Sequence, residues 1–138
     1  MSHRTVTRLF ALGCIALSSL LLVYFFVSRK EARRAQILPA DIFRSEMVLQ
    51  RGKALPVWGS ACPGKTLSVS FGGQEKRAAV ARDGSWKVEL EPLALSKEGR
   101  ELRIAYEPPL RVAGAAIKPV VMRNILVGDV WLCAGQSN

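Results

Sequence analysis

Ala78-Ala79-Val80-Ala81-Arg82-Asp83-Gly84-Ser85-Trp86-Lys87-Val88-Glu89-Leu90 is the stretch that decides the fold of this chain. Apolar and polar residues alternate on both sides of Asp83-Gly84, as they do in strands with one buried face. Asp-Gly adopts the positive φ angles that a tight two-residue turn requires, so the stretch predicts an antiparallel hairpin. Trp86, Val88 and Leu90 then share one face of the second strand.

Short apolar runs separated by Gly, Pro and Asp-Gly continue in both directions from this hairpin. Thr66 to Phe71 alternates in the same way, and Gly72-Gly73 supplies the next turn. Seven short strands favour an antiparallel, jelly-roll-like β-sandwich, with Trp58 and Trp86 as core residues. Stacking on a sugar ring is the alternative for either tryptophan. The predicted strands lie near Met47–Gln50, Leu55–Gly59, Thr66–Phe71, Arg77–Arg82, Trp86–Leu90, Glu101–Tyr106 and Val120–Val127.

An apolar run from Leu9 to Val27 carries no charge and is about as long as the core of a bilayer requires. Basic residues flank this run and contribute much of the net charge of +9. We interpret these charges as topology signals and predict a transmembrane or signal helix within residues 1–35. Cys14 after Leu12-Gly13 is similar to a lipoprotein cleavage signal, but the apolar run before it is short, which favours a cysteine inside the apolar helix.

Composition argues against several other classes of function. From Asp41 onward basic and acidic residues are interleaved, without the arginine-rich run or aromatic ladder of a nucleic-acid-binding surface. One histidine and scattered carboxylates give no metal-ligand spacing, so we predict no metal and no cofactor. Cys62 and Cys133 either form a disulfide in an oxidising compartment or stay reduced, with Cys133 as a small buried side chain. We interpret four carboxylates as a solvated face: Glu89, Glu91, Glu98 and Glu101.

The stretch Gly128 to Asn138 predicts a strand that delivers Ser137 into a turn. A serine hydroxyl is a weak nucleophile until a base removes its proton and donors bind the oxyanion. The single histidine of the chain is His3, on the other side of the predicted membrane segment. The residues alone therefore indicate a candidate nucleophile without its base.

Two segments carry a family resemblance. The first runs from Met47-Val48-Leu49-Gln50-Arg51-Gly52 through Leu55-Pro56-Val57-Trp58-Gly59 to Pro63-Gly64, and the second from Val127 to Asn138. The second segment ends in Gly135-Gln136-Ser137-Asn138, a specific pattern when Gly-Asp-Val-Trp-Leu precedes it. In these segments the chain resembles the sialate O-acetylesterase family of carbohydrate esterases, within the SGNH, or GDSL-like, hydrolases.

The resemblance implies a role for each residue of the final motif. Ser137 would be the nucleophile and its backbone amide one oxyanion donor, while Gly135, Gln136 and Asn138 would shape the turn. The implied substrate is an O-acetylated carbohydrate: Ser137 attacks the acetyl carbonyl, an acetyl-enzyme forms, and water releases acetate. The family's Asp-x-x-His follows this motif and is not part of this sequence. We therefore expect the N-terminal fragment of an esterase that is inactive as given.

These inferences divide the chain into four parts. Residues 1–35 are the predicted signal anchor, 36–41 a linker, 42–127 the β-sandwich, and 128–138 the first strand of a truncated α/β SGNH hydrolase domain. The resemblance places the folded part outside the cytoplasm, either anchored in the membrane or secreted after cleavage of the leader. Two alternatives remain: a non-catalytic, membrane-anchored β-sandwich that binds a glycan or a partner protein, and a tethered chain with a structural role only.

Overall fold

The computed structural model of the chain describes residues 20–135. This part contains a helix over residues 20–34 and is otherwise built from short strands joined by turns. In chain order the strands are β1 Leu38–Pro39, β2 Val48–Gln50, β3 Leu55–Ser60, β4 Thr66–Phe71, β5 Gln74–Ala79, β6 Ser85–Leu90, β7 Ser96–Tyr106, β8 Arg111–Val112, β9 Ala115–Ala116 and β10 Val120–Gly128.

The strands are arranged as two main sheets and one short hairpin. Five strands form one sheet in the order β2-β10-β7-β4-β5, and three form the other in the order β1-β3-β6. Strands β8 and β9 pair only with each other. Every pairing is antiparallel except that of β2 with β10, which is parallel.

The chain curls from the larger sheet into the smaller one between β5 and β6. The Val80 amide still donates to the Lys65 carbonyl beside β4 (2.8 Å), whereas the next amide, that of Ala81, donates to Ser85 at the start of β6 (2.8 Å). The turn between them contains Gly84 at φ +87°, a backbone conformation that costs a glycine nothing. The two main sheets therefore curl around one shared core.

Alternating burial along the strands builds this core. In β4 and β6 every second side chain is buried, as expected for strands with one face against apolar neighbours. Side chains from both sheets meet there, and the largest fully buried ones are Phe71, Leu67, Leu90, Leu102, Ile104, Ile125, Val57, Val69 and Val127.

The predicted fold class is wrong in its architecture, although the chain is mainly β. The jelly-roll-like antiparallel sandwich is replaced by a curled sheet arrangement, because the chain passes continuously between sheets and β2 joins β10 in parallel. The expected strand at Val130–Ala134, the start of a hydrolase domain, is not formed, since residues 129–135 adopt no regular structure.

The prediction of a transmembrane helix also needs correction. Among residues 20–135, no helix is both long enough and apolar enough to cross a membrane. The first part of the predicted span, residues 9–19, lies outside the described residues, as do Cys14 and His3. The domain boundaries proposed from the sequence stay a prediction.

Several strand predictions agree with the structure and others are displaced. Thr66–Phe71 is β4 as predicted and Gly72-Gly73 turns it into β5, but β5 lies at Gln74–Ala79 and not at Arg77–Arg82. The hairpin predicted around Asp83-Gly84 is wrong, because β5 pairs with β4 in the larger sheet and β6 pairs with β3 in the smaller one. In the connection between them the Asp83 carboxylate accepts hydrogen bonds from the Ser85 amide (2.9 Å) and hydroxyl (2.7 Å). These two bonds lower the pKa of Asp83 below its ordinary value.

The two tryptophans differ in a way that the sequence analysis did not distinguish. Trp86 is a core residue with 3% of its surface exposed, whereas Trp58 is 40% exposed and packs edge-on against Phe43, with ring centroids 4.9 Å apart. Cys62 and Cys133 are both free, so of the two alternatives the disulfide is not formed, and the prediction of Cys133 as a buried side chain is wrong because it is exposed. The four carboxylates predicted to be solvated are indeed exposed.

Candidate active site

The two segments that carry the family resemblance lie side by side in the structure. Strand β2, from the first segment, pairs in parallel with the end of β10, from the second. Their register places Val48 opposite Leu126, Leu49 opposite Val127 and Gln50 opposite Gly128. Because parallel strands point the same way, the residues that follow both strands emerge at the same sheet edge.

A local irregularity in β10 accompanies this pairing. The register between β10 and β7 shifts between Met122 and Ile125, and Asn124 within the shift has a φ of +54°. The Asn124 side-chain amide donates a hydrogen bond to the Glu46 carboxylate. The backbone of Glu46 has a φ of +65°, and its amide donates to the Arg123 carbonyl (3.0 Å). These contacts fix the loop before β2 against the bulge of β10.

Beyond the paired strands, the side chains of Gln50 and Arg51 hold the residues that follow β10. Arg51 Nε donates to Asp129 Oδ1 at 2.9 Å, and Gln50 Nε2 donates to the same oxygen at 3.3 Å. Gln50 Oε1 accepts from the Val130 amide at 2.8 Å, and the Arg51 amide donates to the Gly128 carbonyl at 2.8 Å. We call these five residues, Gln50, Arg51, Gly128, Asp129 and Val130, the β2–β10 clamp.

The charges of the clamp perturb each other. The hydrogen bond from Arg51 lowers the pKa of Asp129 below its ordinary value, partial desolvation opposes this, and the Arg51 charge and the Gln50 amide reinforce it. The same hydrogen bond and the Asp129 charge raise the pKa of Arg51. Both side chains are about half exposed, so the pair adds little to global stability and mainly fixes local geometry.

An apolar groove lies beside the clamp. It encloses about 400 Å³ and is lined by Ile42, Phe43, Met47, Val48, Leu49, Leu55, Pro56, Trp58 and Val130. Val130 belongs to both the groove and the clamp, and Leu49 of the groove directly precedes Gln50 of the clamp in the chain. Trp131 and Leu132, which follow, are 86% and 94% exposed. The surface around the clamp is therefore unusually apolar for a solvent-exposed region.

The structure describes only part of the predicted catalytic motif. Gly135 is exposed and lies in the irregular segment after β10, with open space around its Cα. Gln136, Ser137 and Asn138 lie outside the described residues, so their roles stay predictions. Sequence reasoning missed Gln50, Arg51 and Asp129 as site residues, although all three stand within the two resembling segments.

The described part of the chain offers no alternative centre for metal chemistry. Within residues 20–135, no group of three or more His, Cys, Asp or Glu side chains is arranged to hold a metal ion. Tyr106 is the one buried phenol of the fold, and desolvation raises its pKa although its hydroxyl accepts a hydrogen bond from the Cys62 amide (2.9 Å). That contact joins a loop to β7 inside the β fold and has no part in the clamp.

Comparison with solved structures identifies the class of protein. The fold is similar to the crystal structure of a carbohydrate acetylesterase from Xanthomonas citri, with a TM-score of 0.62 and 31% sequence identity. The similarity covers 74% of this chain and 21% of that one. Over the matched part, the fold and the aligned residues are thus similar to those of that carbohydrate acetylesterase.

Curated relatives identify the family more closely. Over 106 residues, or 72% of this chain, the sequence is 32% identical to the sialate O-acetylesterase of Homo sapiens and 33% identical to that of Mus musculus. The matched regions cover 19% and 18% of those proteins, so the chain spans about a fifth of the length of the curated relatives it matches. No protein-family model matches the chain. On these relatives, the chain belongs to a sialate O-acetylesterase-like family.

Proposed function

We propose that this chain supplies the nucleophile-bearing part of a carbohydrate esterase that removes O-acetyl groups from sugars. The observation that carries the proposal is the convergence of the two resembling segments at one sheet edge, where the clamp holds the chain that leads to Ser137. The similarity to sialate O-acetylesterases and to a carbohydrate acetylesterase supports the same reaction and substrate class.

The proposed reaction is a two-step acyl transfer. The Ser137 oxygen attacks the acetyl carbonyl, a base takes the serine proton, and the sugar hydroxyl leaves after it receives a proton. Water then attacks the acetyl-enzyme and acetate is released. Donors to the carbonyl oxygen stabilise the charge that develops in each step, and the Ser137 amide is one proposed donor.

A hybrid enzyme tests the nucleophile. In this hybrid the chain replaces the matched segment of the Xanthomonas citri acetylesterase, and acetate release from an O-acetylated sugar is measured. We expect turnover that falls about a thousandfold or more in Ser137→Ala, because nucleophile and base act as a unit. Ser60→Ala, an exposed serine of β3, is the matched control and should leave the rate unchanged. A hybrid that lacks turnover, or keeps it in Ser137→Ala, contradicts the proposal.

The polypeptide alone tests the proposed division of labour. Its sequence has one histidine, His3, and no Asp-x-x-His pattern, so we propose that it lacks the base of the reaction. Acetate release from p-nitrophenyl acetate should therefore equal that of buffer and of the Ser137→Ala chain. Turnover by the unmodified chain that Ser137→Ala abolishes would show that the base is already present.

A glycan-binding role without catalysis is the second candidate, and the exposure of Trp58 beside the groove favours it. An exposed indole offers a flat apolar face on which a sugar ring can stack. This candidate predicts saturable binding of an O-acetylated sugar that Trp58→Ala abolishes and Ser137→Ala leaves intact. Absence of saturable binding to the folded chain would exclude it.

A further inference from the structure

Within the clamp, Gln50 and Arg51 contact three consecutive residues at the point where the chain leaves the sheet. The Gly128 carbonyl, the Asp129 carboxylate and the Val130 amide each bind to Gln50 or Arg51. A backbone held at three successive residues has a fixed direction, whereas one held by the strand ladder alone is free to turn after its last pair. These contacts fix the direction in which the chain leaves the sheet at Val130.

The clamp differs from the other ion pairs of the described residues. Lys76–Glu91, Arg77–Glu107 and Arg123–Glu101 connect strands and loops within the β fold. Arg51–Asp129 alone among these four pairs holds a residue of the irregular segment after β10. Its partners are 78 residues apart in the chain, so the contact exists only when β2 and β10 are paired.

We propose that Gln50 and Arg51 are positioning residues for Ser137 and act through Asp129 and Val130. The inference rests on the proposed function, because it assigns to the clamp the orientation of the nucleophile in the acyl transfer described above. Neither side chain touches the substrate in this proposal. Arg51 fixes the Asp129 side chain, Gln50 fixes the Val130 backbone, and together they hold the start of the nucleophile segment against the end of β2.

The first test uses the full chain and does not depend on activity. Hydrogen–deuterium exchange at the Val130 amide is compared in the unmodified chain, Arg51→Ala and Gln50→Ala. Loss of either clamp residue should speed exchange about fivefold, since a local opening replaces a fixed contact. Glu101→Gln is the matched control, because it removes the charge of Glu101 from its ion pair with Arg123, between β7 and β10, and leaves the clamp intact. Unchanged exchange in both clamp variants would overturn the proposal.

The second test uses the hybrid acetylesterase and separates positioning from mere structural support. Arg51→Ala and Asp129→Asn should each lower kcat about tenfold with KM changed less than about twofold, because substrate contacts are retained while the nucleophile is misplaced. Arg51→Lys keeps the charge and should recover part of kcat, and Glu101→Gln should match the parent.

The outcomes of the two tests distinguish the two levels of the proposal. A hybrid without Ser137-dependent turnover contradicts the proposed function and, with it, the positioning role. Ser137-dependent turnover that Arg51→Ala leaves unchanged contradicts positioning alone, even if exchange at Val130 rises. Faster exchange together with a loss confined to kcat supports the proposal.

Discussion

At the residue scale, neighbouring positions of a strand can differ completely in burial. Val57 and Trp58 are consecutive in β3, so their side chains point to opposite faces of the sheet. Val57 is fully buried, which leaves Trp58 on the outer face, where Phe43 covers part of its ring. The prediction of Trp58 as a core residue is wrong, because it rested on residue type, whereas the burial of the neighbouring Val57 directs Trp58 to the outer face.

The two tryptophans therefore give a matched prediction. Trp86→Ala should lower the free energy of unfolding by about 3–5 kcal/mol, because it empties a large buried site. Trp58→Ala should cost only about 1 kcal/mol, since the ring is partly exposed and loses one aromatic contact. Urea denaturation followed by circular dichroism measures both values. Equal costs would contradict the assignment of one residue to the core and the other to the surface.

Trp86→Phe provides a milder variant if the alanine form does not fold. The indole Nε1 of Trp86 is buried and has no hydrogen-bond partner among the described residues. Phenylalanine removes this unpaired donor along with part of the ring, so we expect a smaller loss than in Trp86→Ala. A loss as large as that of Trp86→Ala would show that the indole makes contacts that phenylalanine cannot replace.

At the element scale, we expect the ion pair of Arg51 with Asp129, at the ends of β2 and β10, to respond to pH. The folded-state pKa of Asp129 is lowered, so its contribution to stability is present above its unfolded pKa, about 3.9, and is lost as pH falls through the folded value. The difference in urea midpoint between the unmodified chain and Asp129→Asn should therefore be small but present at pH 6 and vanish in more acidic solution.

An Arg51→Ala background provides the control for this pH dependence. Without the guanidinium, the main cause of the lowered pKa is removed, so Asp129→Asn should make no pH-dependent difference. The opposite result, a difference that persists at low pH or survives in the Arg51→Ala chain, would show that another group stabilises the Asp129 carboxylate.

The strands also show what local sequence can and cannot predict. The alternation in Thr66–Phe71 and around Trp86 predicted β4 and β6, because a strand that buries every second side chain has alternating apolar and polar residues in its sequence. The two-residue strand β1 was missed, because only its pairing with Ser60 and Gly59 of β3 makes the extended Leu38–Pro39 a strand. The clamp was missed for the same reason, since Arg51 and Asp129 meet only through long-range pairing.

At the scale of the whole molecule, the described residues expose two stretches of large apolar side chains, residues 20–27 of the helix and residues 130–132. Val130, Trp131 and Leu132 project from the irregular segment after β10, beside the apolar groove. The prediction of a strand at Val130–Ala134 rested on the apolar character of these residues and on the family resemblance. Such a strand needs partners on both sides, and the described residues provide none for it.

Replacing this surface should change solubility and not stability. Trp131→Ser combined with Leu132→Ser should raise the protein concentration at which light scattering first detects association, because a large apolar patch is removed. The free energy of unfolding should change by less than about 0.5 kcal/mol, since both side chains are exposed. Destabilisation beyond this value would show that the two residues pack against the fold in solution.

The parallel pair of β2 and β10 has a consequence for synthesis on the ribosome. β2 is translated early, yet its partner in the sheet is β10, the last strand of the described residues to be made. Translation proceeds from the N-terminus, so β4, β5 and β7 can pair while β2 still waits for Leu126 to emerge. A nascent chain stalled before that residue should thus expose the unpaired edge of β2 and the Leu49 side chain, which is buried in the folded chain, to a ribosome-associated chaperone.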